Sequence, residues 1–482
     1  MSVKKNFAYN ISYQILIMIL PLITTPYISR VIGAEGVGLQ SYTFSIVNYF
    51  MIFIRLGINN HGNRSIAISR DSKDECSKVF INIYSVQLFM AILMSIIYVA
   101  YVMCYASEYK VLFIIQYIYI LSAMLDINWF FFGLEKFKLT VTRNTIIKII
   151  SVMSIFIFVK NQNDLYKYSF ILAIGQFISQ LILWPFLLKE INLKKPSLDG
   201  VKEHIKPILT LFIPVIAISI YNLMDKIMIG SISNMAQLGL YENSEKIIAI
   251  PVCIITALGT VMLPKMSNLQ SKGNNKESKK YISLSMNFAM LVSIGSVFGL
   301  MGVSPNLIPI FLGEEFKDAI DLVSILSIAV LFLSWANVIR TQFLIPNKRD
   351  KVFVKSTIYG AIVNLTCNLL LISRFGAMGA AVGTVLSEAI VALYQTLSVR
   401  KELDIRGYIS KALLYIIPGM VMYFVVSYIG ARFSSSVITL VIQVGMGLIT
   451  YLSIVLIIMG ITKDKLLMNI INKCKMKEEN IA

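Results

Sequence analysis

Apolar residues in this chain come in long runs. Fourteen predominantly apolar stretches of about 20 residues recur at 8–29, 37–57, 79–104, 111–132, 140–159, 168–188, 207–230, 237–263, 281–303, 319–345, 352–373, 377–399, 412–430 and 437–461. A helix needs about 20 apolar residues to cross a bilayer, because it rises only ~1.5 Å per residue. Barrel strands would be about 10 residues long with alternating polarity, and no stretch alternates. The pattern predicts an all-α polytopic membrane protein of about fourteen transmembrane helices. The first stretch contains Pro21 and Pro26 and runs directly into a second span. It lacks a small-residue cleavage site, so it is expected to be a retained helix, not a signal peptide.

Composition agrees. Of 482 residues, 57% are hydrophobic and only 15% charged, with a mean hydropathy of +0.73. Soluble domains carry roughly 25% charged residues, so this chain could not cover a water-facing surface. Two histidines, His61 and His204, exclude a multi-histidine metal site. Five scattered cysteines without a C-x-x-C make a disulfide framework or thiolate metal site improbable. No G-x-x-x-x-G-K-[ST] is present, so the chain carries no P-loop.

The net charge of +18 fits either a nucleic-acid binder or a membrane protein with basic cytoplasmic loops. The positions of the cations decide. With the N-terminus inside, thirty Lys and Arg fall in cytoplasmic segments and seven outside. The bias alternates over every loop, and a missed helix would scramble it from that point on. It therefore supports both the helix count and cytoplasmic termini, and no nucleic-acid partner is expected.

Seven further cations, Arg55, Arg143, Lys148, Lys226, Lys246, Arg340 and Lys355, lie inside the apolar stretches, with Asp126, Asp225, Glu242, Glu245 and Glu388. Each such charge costs roughly 3 kcal/mol at mid-bilayer. A lipid-facing bundle is excluded, and a polar interior cavity is expected. Arg143 and Lys355 lie near helix ends and could snorkel to the interface.

The polar loop 189–206 divides the chain after six helices. The expected organisation is an N-terminal lobe (1–188), a cytoplasmic linker (189–206), a C-terminal lobe (207–399), and two final helices with a basic tail (400–482). Six helices per lobe make any repeat parallel. A weak one is visible: Pro21 and Pro214 interrupt helices 1 and 7, Arg30 and Lys226 shortly precede Gly33 and Gly230, and Gly38 and Gly239 open the following helices.

Helix 2 carries Ser41, Ser45, Asn48 and Arg55 on one face. Interhelical hydrogen bonds explain Ser41 and Ser45, but Arg55 points to a functional cavity. Helix 7 aligns Ser219, Asn222 and Lys226, with Asp225 adjacent. Such a cavity suits an anionic, hydrogen-bonding substrate. Asp225, Glu242, Glu245 and Asp126 are the candidate proton or sodium sites, because buried carboxylates can switch charge. No other cofactor is expected.

At PYISRVIGAEGVGLQSYTFSIVNYF, LGINNHGNRSIA, WFFFGLEKFK, SIYNLMDKIMIG, YENSEKI, TALGTVMLPKMSNL and FGAMGAAVGTVLSEAIVALYQ the chain resembles bacterial polysaccharide flippases of the Wzx type. These belong to the multidrug/oligosaccharidyl-lipid/polysaccharide exporter superfamily. The resemblance covers about residues 10–400. It implies two six-helix lobes around a cationic cavity, with two extra helices behind. It also implies a secondary transporter that flips undecaprenyl-pyrophosphate-linked oligosaccharide from the inner to the outer leaflet. Membrane lipids and other polysaccharide-assembly proteins are the implied surroundings. The family's cations match Arg30 and Arg55, and its Asp-Lys pair matches Asp225 and Lys226. Arg suits a pyrophosphate by bidentate hydrogen bonds and Lys as a point charge. With Asn48, and with Arg143 and Arg340 in a second tier, these residues form the expected substrate site.

Two rivals stand beside this reading. A drug exporter of the same superfamily would expel cations and should have an acidic cavity, whereas cations in the apolar stretches here outnumber carboxylates, seven to six with Asp321 counted. A membrane polymerase or glycosyltransferase should have a large external catalytic loop. The longest expected here, about 304–318, is too short.

Overall fold

A computed structural model describes residues 3–105, 108–192 and 195–461, with side chains described except at 3–19, 217, 218 and 220–222. Lys4, Lys5, Lys194, Asn222 and the basic tail therefore lie outside what is described. Among the described residues every regular element is helical. Among the described residues twelve helices are long and apolar enough to cross a membrane; about fourteen spans were expected. The difference arises at two places. The stretches 8–29 and 37–57 both lie in α1 (Val3–Arg55), on either side of a non-helical residue, Gly33, and α9 (Leu198–Ile232), which contains 207–230, includes residues whose side chains lie outside the description. Exposed Ile92, Ile96, Phe424 and Ile457 are the apolar outer surface that a lipid environment favours.

Two helices break where the apolar pattern breaks. In α1 the break is Gly33, at φ 72°. In α13 (Asp350–Val399) it is Gly376, at φ 54°. Positive φ is cheap only without a Cβ. Both glycines sit in similar sequences, Ile28-Ser-Arg-Val-Ile-Gly33 and Ile372-Ser-Arg-Phe-Gly376, a correspondence that sequence reading overlooked.

The chain divides into compact units at 1–242 and 243–482. The first contains α1, α2 (Ile58–Ser69), α3 (Lys73–Cys104), α4 (Lys110–Met124), α5 (Asn128–Gly133), α6 (Phe137–Phe158), α7 (Leu165–Leu181), α8 (Trp184–Glu190), α9 and the start of α10 (Met235–Ser271). One core joins Val47, Met51 and Ile54 of α1 to Tyr98 of α3 and Phe113 and Ile120 of α4. A second gathers Ile58, Ile66, Phe80, Trp129, Phe130 and Phe131. Here two of the recognised motifs pack on each other: a methyl at Gly62 would lie 2.4 Å from the Trp129 ring, and one at Gly133 2.7 Å from Ile66.

The opening turns of α10 cross α1 at backbone contact. A methyl at Gly38 would lie 1.7 Å from the Met235 carbonyl oxygen, and one at Gly239 1.9 Å from that of Ala34. These are the glycines paired by the weak repeat. The contact is reciprocal, because each glycine receives the residue four positions before the other.

The second unit holds the rest of α10, α11 (Asn275–Phe311), α12 (Ala319–Ile339), α13, α14 (Ile405–Leu414), α15 (Ile416–Arg432) and α16 (Val437–Ile461). α11 continues through most of the segment expected as an external loop. Asn306 donates to Gln443 (3.0 Å), and Gln443 to the Val426 carbonyl (2.9 Å), tying α11, α15 and α16 together.

Candidate functional site

The site is organised by α1 beyond Gly33. Ser41 and Ser45 are buried along its polar face and Asn48 is half-buried. Arg55 ends the helix, where the macrodipole favours a cation. Ser41 and Arg55 are 14 residues apart, about 21 Å at 1.5 Å per residue. A carboxylate meets each end.

At the Arg55 end, Asp126 Oδ2 lies 3.0 Å from Nε, with the side chains 24% and 8% exposed. The Nε–H is poorly aligned on the carboxylate, so the contact is an ion pair more than a hydrogen bond. Asp126 is held from behind. Its Oδ1 accepts the Asn128 backbone N–H (3.2 Å) and Nδ2 (2.7 Å). Gln87 Nε2 donates to the carbonyls of Ala123 and Asp126 (both 2.9 Å), satisfying oxygens that the end of α4 leaves open. Trp129 Nε1 donates to Gln87 Oε1 (3.2 Å) and fixes that amide. Asn128 also donates to Gln180 (3.0 Å) and accepts from Arg143 Nη2 (2.9 Å). Arg143 donates further to Asn144 (2.6 Å). Arg143 does not snorkel: it is 5% exposed, because this amide network offers acceptors inside the bundle.

At the Ser41 end, Glu242 Oε2 accepts from Ser41 (2.8 Å) and from Lys226 Nζ (2.6 Å). Asp225, buried, accepts from the Tyr241 hydroxyl (2.9 Å). The glycine crossing places α10 close enough to α1 for Glu242 to reach Ser41.

The structure thus joins Arg55, Asp126 and Arg143 in one network and Lys226 and Glu242 in another, with Asp225 beside it. Arg30 lies exposed on α1 three residues before the Gly33 break. Glu245 and Arg340 belong to the second unit. Arg340 opens a π-helical turn, Arg340–Leu344, sits over the Phe353 ring at 5.3 Å and lies within electrostatic reach of Glu388. Sequence reasoning missed Gln87, Asn128 and Gln180, which orient the ion pair. Their signal was available as amides inside otherwise apolar runs. No cluster of three metal-ligating side chains occurs among the described residues.

The chain is similar to the putative O-antigen transporter of Shigella dysenteriae, with 25% identity over 384 residues, covering 79% of this chain and 96% of that one. It is also similar to the putative O-antigen transporter of Escherichia coli strain K12, with 24% identity over 410 residues, covering 83% and 98%. Its fold matches that of the lipid II flippase MurJ in an inward closed conformation, at a TM-score of 0.75 and 17% identity over 94% of this chain and 98% of that one. The family model described as polysaccharide biosynthesis protein matches residues 3–270, more than half of the chain, and the chain belongs to that family.

Proposed function

We propose that this protein is a flippase that carries a lipid-linked oligosaccharide across the cytoplasmic membrane for surface-polysaccharide assembly. Its cargo is an undecaprenyl-pyrophosphate-linked repeat unit, moved from the inner to the outer leaflet. Both termini face the cytoplasm, as the cation asymmetry supports. The putative O-antigen transporters share the reading in name, and the chain acts as a transporter, not an enzyme.

The observation that carries the reading is Arg55. Asp126 meets its guanidinium at Nε, the inner edge, while the side chain stays a quarter exposed. The planar fork of an arginine is suited to two phosphate oxygens at once. Lys226, at the Ser41 end about 21 Å along α1, and Arg30 beyond the Gly33 break offer further cations along the path of the head group. Asp126 and Glu242 are counter-ions that hold Arg55 and Lys226 until phosphate replaces them. A carboxylate that loses its cation then takes up a proton or sodium ion, which couples transport to an ion gradient; Asp225 and Glu245 are further candidates.

The test is complementation of surface-polysaccharide export in a strain lacking its own flippase, with expression checked by immunoblot. The wild-type chain should restore export. Arg55→Ala should abolish most of it, since a charge-assisted contact worth about 1.5–3 kcal/mol is lost, and Arg55→Lys should rescue only in part. Full export by well-expressed Arg30→Ala and Arg55→Ala variants would overturn the pyrophosphate reading.

A further inference from the structure

The first unit contains a cavity that none of the charged residues above explains. Its volume is about 750 Å³, within the roughly 300–1,000 Å³ of small-ligand sites. Four tyrosines line it, Tyr42 of α1, Tyr101 of α3, and Tyr105 and Tyr109 between α3 and α4, together with Glu35 and Glu108. Among the described residues no Lys or Arg lines it. In a chain of net charge +18, this lining would repel a phosphate.

The lining has an internal order. Tyr101 and Tyr105 stack at 6.1 Å with 22° between their planes. The Tyr42 hydroxyl lies 3.2 Å from the Ser231 Oγ at the end of α9. A side chain at Gly230 would strike the Tyr42 ring at 2.4 Å, so that glycine lets the ring lie flat against α9. Burial, then the neighbouring Glu108 and Glu35 carboxylates, push the Tyr109 hydroxyl up from its ordinary pKa, which keeps it protonated as a donor. Tyr105 is 79% exposed and closes nothing off. Tyrosines of an interfacial belt spread around helix perimeters toward lipid, whereas these four share one cavity with two carboxylates.

We propose that this cavity binds the sugar part of the cargo, as a site for non-acidic saccharide rings. Aromatic faces cover the C–H faces of a pyranose by dispersion and apolar contact. Carboxylates and hydroxyls accept and donate to the ring's hydroxyls. The same two glutamates exclude uronic acids by like-charge repulsion and admit neutral or amine-bearing sugars. The proposal rests on the flippase reading. On the orientation given above, the cavity opens at the outer end of the first unit. Glu35 and Arg55 are 20 residues apart on α1, about 30 Å of helix, so sugar and pyrophosphate would be held at separate places.

The experiment is saturation-transfer NMR on the full chain in nanodiscs, with three probes: maltotriose, chitosan trimer and galacturonate trimer. Maltotriose and chitosan trimer should receive saturation, and galacturonate trimer should not. The signal should be lost in Tyr105→Ala and in Glu35→Gln combined with Glu108→Gln. Tyr105 is exposed, so its substitution leaves the packed core intact, and an unchanged elution profile verifies this. Arg55→Ala should keep the sugar signal while losing export. No transfer to any probe, equal transfer to the galacturonate trimer, or an unchanged signal in the cavity variants would overturn the sugar site. Those results leave the flippase reading standing, whereas failure of the well-expressed wild-type chain to restore export would overturn that reading whatever the sugars do.

Discussion

Asp126 and Arg55 should be energetically coupled, and the size of that coupling can be worked out. At 3.0 Å and an effective dielectric of about 20, two unit charges attract by about 5–6 kcal/mol. Desolvation of both groups offsets much of this. Arg55 is also 24% exposed, so solvent screens the pair further, and a net coupling of about 1–3 kcal/mol is expected. The perturbation is a double-mutant cycle of Arg55→Met and Asp126→Asn. Methionine keeps the apolar stem, and asparagine keeps an Oδ1 that accepts from Asn128. Arg55→Met should be the worse single change, at about 3 kcal/mol, because it leaves the more deeply buried carboxylate charged and alone. The double variant should cost less than the sum of the two singles. The assay is equilibrium unfolding in mixed detergent micelles followed by tryptophan fluorescence. Trp129 bonds Gln87 in this network, and Trp184 Nε1 donates to the Leu125 carbonyl beside it, so two of the three tryptophans report on the region. Additivity within about 0.5 kcal/mol, as for independent sites, would refute the coupling.

Two further predictions concern packing and pH. Gly38→Ala and Gly239→Ala should both sharply reduce the monodisperse folded fraction in size-exclusion chromatography, since their methyls would meet backbone oxygens at 1.7 and 1.9 Å; Gly445→Ala, with open space around it, is the control, and equal behaviour of all three would defeat the argument. The two histidines of the chain meet, His61 Nε2 lying 2.9 Å from His204 Nδ1, and burial lowers the pKa of His204 while Glu203 opposes this. A depressed folded-state value means that the stabilisation is complete above the ordinary histidine pKa and is lost as pH falls through the folded value, so acidification should lower thermal stability in wild type and less so in His204→Gln; identical pH slopes would contradict it.

The helical class and most span boundaries were legible because bilayer crossing demands long apolar runs, and both helix-breaking glycines fell between expected spans. The charged members of the site were legible for the converse reason: Arg55, Asp126, Lys226 and Glu242 stand out against apolar neighbours. Their partners were not. Arg55 pairs with a residue 71 positions away and Ser41 with one 201 positions away, and no local period encodes such distances. Arg143 was misjudged because snorkelling was inferred from its place near a helix end, whereas Asn128 and Asn144 supply acceptors that the one-dimensional pattern hides. The tyrosine cavity was invisible for another reason. Tyr42, Tyr101, Tyr105 and Tyr109 come from separate segments, and each alone resembles an ordinary membrane-interface aromatic.

The intramembrane charges were expected to demand a watery interior, because a dozen of them would otherwise destabilise insertion by tens of kcal/mol. The structure shows a second solution acting beside it. Arg55 is matched by Asp126, Lys226 by Glu242, and Arg340 lies in the field of Glu388. In the first pair the carboxylate is the more buried partner and is held by amide donors that do not depend on the cation. Removing the cation's share of that contact therefore leaves a carboxylate in place and still oriented, which is the condition for exchanging one positive partner for another. A pair locked by a bidentate fork, such as Arg349 on both oxygens of Glu402, spends both Nη groups on its carboxylate, whereas Asp126 meets Arg55 at Nε. The side-on contact at Arg55 is thus the weaker ion pair and the better exchange site, and its geometry separates a charge kept for binding from one kept for stability.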